Sequence, residues 1–195
     1  MIEGKLLASD VNFAVRGLDL SDIPHIVDYW LKSSPEDLLR MGADASKMPT
    51  AEQFEMSLKS MLAQTQQDAE VAYLIWLVND MPIGFSSLKN IRFGECGEIH
   101  LHMWDSSFRR KGYGAILFCL STLNFYNEFK LKTIKCEPKA SNLLPNKMFH
   151  NIGFPLVNTR MGASSELSLV CELNQYDITL NIAIQYLRNV GLTLC

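Results

Sequence analysis

The 195-residue sequence contains no Cys-x-x-Cys pair. Its five cysteines, Cys96, Cys119, Cys136, Cys171 and Cys195, are odd in number and scattered. That spacing supports neither a disulfide framework nor a zinc site, so the expectation is no metal and reduced thiols in a cytoplasmic protein. No apolar run approaches the roughly 18 residues that span a bilayer. The opening MIEGKLLASD has no apolar core of the kind a secretory signal needs, and no membrane partner is expected. Excess basic charge is missing as well: 18 Lys and Arg stand against 21 Asp and Glu, a formal charge of −3. A nucleic-acid binder that works by bulk charge would be basic, so that class is not expected. Any anion must be held locally, by a loop or a small cluster. Repeats and low-complexity segments are also absent.

What remains is ordinary globular composition, 48% hydrophobic and 20% charged, in a length that suits one domain over residues 1–195. A short strand is expected over Val11 to Val15. Ser21 or Asp22 then caps a helix whose apolar stripe is Ile23, Ile26, Val27, Trp30 and Leu31. A helical turn follows Ser33-Ser-Pro-Glu. Thr50 and Gln53 have capping-box spacing before the apolar face of Phe54, Leu58, Met61 and Leu62. Ala72 to Val78 and Ile83 to Leu88 read as a hairpin around Asn79-Asp80. Glu98 to Trp104 alternates, with Glu98, His100, His102 and Trp104 on one face and Ile99, Leu101 and Met103 on the other. Helices are expected over Ala115 to Phe125 and Ser141 to Ile152, the second ended by Gly153. Strands are expected over Leu131 to Cys136, Leu156 to Arg160 and Glu166 to Leu173. A terminal amphipathic segment runs from Tyr176 to Asn189. The order βααβββαβαββα gives an α/β (α+β) fold with a mixed sheet, not a doubly wound one.

The most specific signal is the strand, then Arg109-Arg110-Lys111-Gly112-Tyr113-Gly114, then helix. Glycines between a strand and a helix N-terminus let backbone N–H groups close around an anion, and the helix dipole adds attraction. Arg109, Arg110 and Lys111 supply local positive charge. The loop reads as a phosphate or pyrophosphate cradle. A solvated basic turn is the plainer alternative. It is neither a Walker loop nor a dinucleotide fingerprint.

With these residues in place, the sequence resembles the GNAT superfamily of N-acetyltransferases. That family's pyrophosphate loop reads Gln/Arg-x-x-Gly-x-Gly/Ala, as Arg109 to Gly114 does. Glu98-Ile-His-Leu-His-Met-Trp resembles the splayed strand before the loop. Leu131 to Pro138 resembles the strand after it. Ser141-Asn142 through Gly153-Phe154 resembles the family's Asn…Gly-Phe segment. The resemblance implies a mostly antiparallel central sheet flanked by helices, with acetyl-CoA as co-substrate.

The resemblance also implies roles for particular residues. Glu98 matches a general base, the backbone of Met103 and Trp104 would pair with the pantetheine arm, and Asn142 would bond that arm or simply cap a helix. Phe149 stands where many members have a tyrosine that protonates the departing thiolate, and phenylalanine has no such proton. His100 and His102 are either proton relays or cleft lining. Glu36, Asp37, Asp44 and Glu52 lie on the helix pair that walls the acceptor cleft and could attract a cationic amine, although a solvated face explains them as well. The expected activity is acetyl transfer to a primary amine, either a small molecule or a peptide. A CoA-binding or sensing module without turnover is the first alternative, and a phosphate- or nucleotide-binding protein the second. The apolar residues of 176–194 extend past the family's usual last strand, which leaves room for a homodimer.

Overall fold

The computed structural model describes residues 1–6 and 10–194. Nine strands form one sheet: β1 (Ile2–Leu6), β2 (Asn12–Gly17), β3 (Ala72–Val78), β4 (Met81–Arg92), β5 (Cys96–Met103), β6 (Thr133–Cys136), β7 (Leu156–Gly162), β8 (Cys171–Asp177) and β9 (Leu192–Leu194). Their spatial order is β7-β8-β6-β5-β4-β3-β2-β1-β9. Every neighbour pairs antiparallel except β5 and β6, which run parallel. A parallel pair needs a long crossover. It is supplied by α4 (Tyr113–Phe129). The other helices are α1 (Ile23–Leu31), α2 (Pro35–Met41), α3 (Ala51–Leu62), α5 (Leu143–Ile152) and α6 (Leu180–Asn189).

Two apolar layers hold the sheet. On one face α4 is apolar almost all round, as a helix buried on every side must be. It packs under α6 with Phe118, Leu120 and Phe125 fully buried. Trp76 Nε1 donates to Ser86 Oγ at 3.0 Å and to Ser121 Oγ at 2.9 Å, which ties the hairpin to α4. On the other face α1 and α3 cover Ile75, Leu77 and Phe85. The entry to α1 is fixed by Asp22, which is buried and bonded through both oxygens to Arg16 at 2.6 and 2.9 Å.

Several expectations shift. β1 and β9 were not expected, because short strands of three to five residues carry little periodicity. The strand expected over Glu166 to Leu173 lies instead at Cys171–Asp177, since 163–170 forms the loop between β7 and β8 and bonds to the Gly42–Asp44 turn. The terminal helix accordingly begins at Leu180, not Tyr176. The apolar residues of this extension cover the chain's own core. Ala183 and Leu187 are buried against α4, and Tyr126 Oη donates to Ile178 O at 2.9 Å. Cys195 lies outside the described residues, among which the other four cysteines are free.

Candidate active site

β5 and β6 stay paired only through Cys96–Thr133, Gly97–Ile134 and Glu98–Lys135, and then part. Beyond that vertex a cleft of about 230 Å³ opens. Its walls include His100, His102 and Met103 from β5, Glu137 and Lys139 after β6, Asn142 and Met148 around α5, Tyr29 and Arg40 from α1 and α2, and Ser164. A second hollow of about 540 Å³ continues from it. Arg109, Arg110, Gly112, Gly114, Lys147 and Asn151 line this one, and the two share Arg40, Met103, Arg109, Leu144 and Met148. The groove therefore runs unbroken from the α4 N-terminus to the strand vertex.

At the loop, Gly112 is the N-cap of α4 at φ +81°, and no side chain caps the helix. The first N–H groups of a helix have no intrahelical acceptor. Here they face the groove beside three basic residues, a setting that suits an anion. Arg110 is also left-handed, at φ +62°. Arg109 folds back, and its Nη2 donates to Met103 O at 2.8 Å. Lys111 sits over the Phe108 ring at 5.4 Å. Tyr113 turns its ring into the core, edge-on to Phe13 at 5.0 Å.

Asn142 is 9% exposed, its side chain caps nothing, and its Oδ1 is buried without a partner. The capping alternative is thus not realised, and an acceptor atom on the cleft wall is left for a ligand donor. A buried polar atom without a partner costs about 1–3 kcal/mol, so it calls for such an occupant. The turn that carries Asn142 is held by Asn146. Its amide donates to the carbonyls of Lys139 and Asn142, and its Oδ1 accepts from Asn174 and Tyr176.

Trp104 differs from expectation. Its ring packs on His25 and Phe85 at 5.5 and 5.9 Å, Nε1 donates to Pro82 O, and its backbone N–H donates to Ile83 O at 3.1 Å. That N–H is therefore engaged within the sheet and is not free to pair with an added strand. The Met103 carbonyl, under Arg109, is the group that faces the groove. Phe149 is fully buried against Phe118, Phe154 and Tyr176, and it is Met148, one residue before it, that lines the cleft.

Glu98 sits at the vertex between two lysines, opposite Lys89 on β4 and Lys135 on β6, with Lys135 Nζ at 3.1 Å. Its side chain, 17% exposed, lines a separate hollow of about 720 Å³ at the other end of β5 and is not part of the cleft wall. That hollow lies away from the loop and from Asn142. A second carboxylate, Glu137, lines the cleft at 2% side-chain exposure. It is bonded to Arg160 and lies 3.7 Å from Lys135. Burial, with Lys89 adding to it, pushes His100 down to about 3. Burial, with His100 and Lys89, holds His102 well below the ordinary histidine range. Both are neutral near pH 7. His102 Nδ1 lies 3.3 Å from Tyr29 Oη, whose phenol burial pushes up to about 12.

A family model described as an acetyltransferase (GNAT) domain matches residues 12–155. The chain belongs to the GNAT acetyltransferase family. Solved structures agree on the fold. RimL, a ribosomal L7/L12 alpha-N-protein acetyltransferase in complex with coenzyme A, is similar at a TM-score of 0.69 and 14% identity, over 92% of this chain and 99% of that one. A spermidine N-acetyltransferase from Vibrio cholerae, in complex with CoA and spermine, is similar at 0.70 and 12%, over 88% and 98%. A protein from Bacillus halodurans reaches 0.71 at 12%, over 97% and 95%. No curated protein matches by sequence.

Within this GNAT chain, sequence reasoning missed Tyr29, Arg40, Glu137, Lys139, Lys147 and Ser164. None stands in a motif. Each reaches the groove only because β5 and β6 part and α2 folds over the gap. Of the acids expected on the helix pair, Asp37 bonds Arg40 at 2.7 Å and borders the loop end of the groove. Asp44 caps its own turn, and Glu36 and Glu52 are exposed outside the groove.

Proposed function

We propose that this protein transfers an acetyl group from acetyl-CoA to a primary amine, in the cytoplasm. The observation that carries the reading is the continuous groove, with an uncapped α4 N-terminus at one end and the unpartnered Asn142 Oδ1 beside the strand vertex at the other. These residues fit a long ligand with an anionic head and an amide-bearing arm. Arg109, Arg110, Lys111 and the N–H groups around Gly112, Tyr113 and Gly114 would hold the diphosphate. Asn142 Oδ1 would accept from an amide N–H of the arm, the Met103 carbonyl would take another, and Met148 would flank it. Bound acetyl-CoA supplies a thioester carbon open to attack by an amine nitrogen, with a thiolate as leaving group.

The chain's own task is then to remove the amine proton. An amine with a reference pKa near 10.4 is about 99.9% protonated at pH 7, so a base is needed. His100 and His102, held low by burial, bind protons poorly. Glu137 is tied to Arg160. Glu98, paired among the described residues with Lys135 alone and two residues from His100 on the same face of β5, is the carboxylate assigned to take the proton, through water from the cleft. With Phe149 buried in the core, Tyr29 and Ser164 carry the hydroxyls on the cleft wall; the Tyr29 phenol, which here donates to Met41 Sδ at 3.0 Å, would turn to hydrogen-bond the departing sulfur. Release of free CoA thiol from acetyl-CoA, dependent on added amine, tests the reading. Tight acetyl-CoA binding with no amine-dependent release would favour the sensing module instead.

A further inference from the structure

The charge on the acceptor end of the cleft points away from polycations. Lys139 lines it, Arg40 and Arg109 stand between it and the loop end, with Arg40 paired to Asp37, and both histidines there are neutral. Its single acid, Glu137, already carries Arg160 and Lys135 as counter-ions. The carboxylates of the neighbouring helices are bound locally or face solvent. An amine with further ammonium groups would meet like charge in a partly desolvated site, where repulsion is poorly screened.

The roof of the cleft is built to keep one cation in place. The 163–170 segment docks on the α2 end through Asp44 N–H to Leu167 O and Leu169 N–H to Gly42 O, both at 2.8 Å. Lys139 bridges to Leu173. Its Nζ donates to Leu39 O at 2.9 Å, at the carbonyl end of α2. A lysine ammonium has three N–H donors. One is used on that carbonyl, which leaves donors for an anion in the cleft beside Arg40.

We propose that the acceptor is an aminocarboxylate. Its carboxylate lies against Lys139, and its amine nitrogen lies a few bonds away, toward the His100 end of the cleft nearest Glu98. This rests on the acetyltransferase reading and narrows it to one substrate chemistry. The carboxylate can belong to a free amino acid or to an acidic residue near a peptide N-terminus.

The test measures CoA release at saturating acetyl-CoA with paired acceptors: aspartate and glutamate against their side-chain and α-amides, Ser-Glu- against Ser-Gln-initiated peptides, and spermidine. The carboxylate member of a pair should have kcat/KM about tenfold or more above its amide, the discrimination expected of one charged contact. The pair that separates identifies the source. Lys139→Gln and Lys139→Glu should each remove that preference while acetyl-CoA affinity, measured by calorimetry, stays within about twofold. Spermidine turned over as well as any acid, acid and amide equal within about threefold, or Lys139 variants with unchanged preference would overturn the proposal. If no acceptor turns over, calorimetry on the CoA-bound protein decides: absence of binding by every acid form overturns it. Loss of acetyl-CoA binding itself would instead count against the acetyltransferase reading.

Discussion

At Gly114 an added methyl would stand 3.7 Å from Met103 Cε and 3.9 Å from Met148 Sδ, ordinary contacts in a helical backbone. Gly114→Ala therefore leaves the fold intact, and removing a helical glycine stabilises it by up to about 1 kcal/mol. In a domain of this size that raises Tm by roughly 2–4 °C. The same methyl projects into the groove between the loop and Met148, where the diphosphate and the arm must approach the backbone. Because alanine also occurs at this position of the family's loop, the methyl alone should be tolerated; Gly114→Leu, whose longer side chain would fill that space, is expected to cost about 1.4 kcal/mol or more for acetyl-CoA, tenfold in Kd. Gly112→Ala is the counterpart. Nothing lies within 4 Å of its added methyl, but φ is +81°, so the change costs about 1–2 kcal/mol of fold stability through backbone strain. Gly112→Val carries the same strain and would confuse binding with folding. Calorimetric titration of acetyl-CoA, paired with thermal melts, separates the two positions. A folded Gly114→Leu protein that binds acetyl-CoA as tightly as the parent would refute the groove assignment.

Glu98→Gln should lower kcat about 10²–10⁴-fold near pH 7 with acetyl-CoA affinity nearly unchanged, and recover in part at high pH; a parent-like pH–rate profile would remove Glu98 as the base. Asn142→Ala should raise Tm or leave it no lower, because it removes a buried acceptor without a partner, yet weaken acetyl-CoA about fivefold for one lost hydrogen bond. His100 and His102 stay neutral in the fold while the unfolded chain takes up protons below about pH 6.5. Each should therefore remove roughly 1.4 kcal/mol of stability per pH unit as pH falls from there. Denaturant melts from pH 7 to 4.5 check this, and His100→Asn should flatten the slope. Asp22→Ala breaks the buried pair with Arg16 and should cost about 3 kcal/mol, read as a lowered urea midpoint.

The parts of the molecule that were legible in the sequence are those where one local rule dominates. The capping box at Thr50–Gln53, the alternation of 98–104 and the left-handed Gly153 after α5 all form as their spacing predicts. The loop from Arg109 to Gly114 was legible because glycine spacing and charge coincide there. Trp104 was not, because whether its N–H is free depends on Ile83 across the hairpin. Phe149 and Met148 are one residue apart on α5, and only the helix's rotation against Phe118 and Tyr176 decides which faces the cleft. Lys139 and Glu137 follow a four-residue strand and carry no periodic signal. Their place on the cleft wall is created by the parting of β5 and β6, a tertiary event. The cations around Glu98 come likewise from β4 and β6, distant in sequence.

The most direct measurement is amine-dependent release of CoA thiol with mass analysis of the amine. The account predicts release equal to the amount of N-acetylated amine formed, requiring both substrates and falling at least about a hundredfold in Glu98→Gln. Acetyl-CoA that binds in the groove and is never discharged onto any amine, across amino acids, peptides and polyamines, would contradict it.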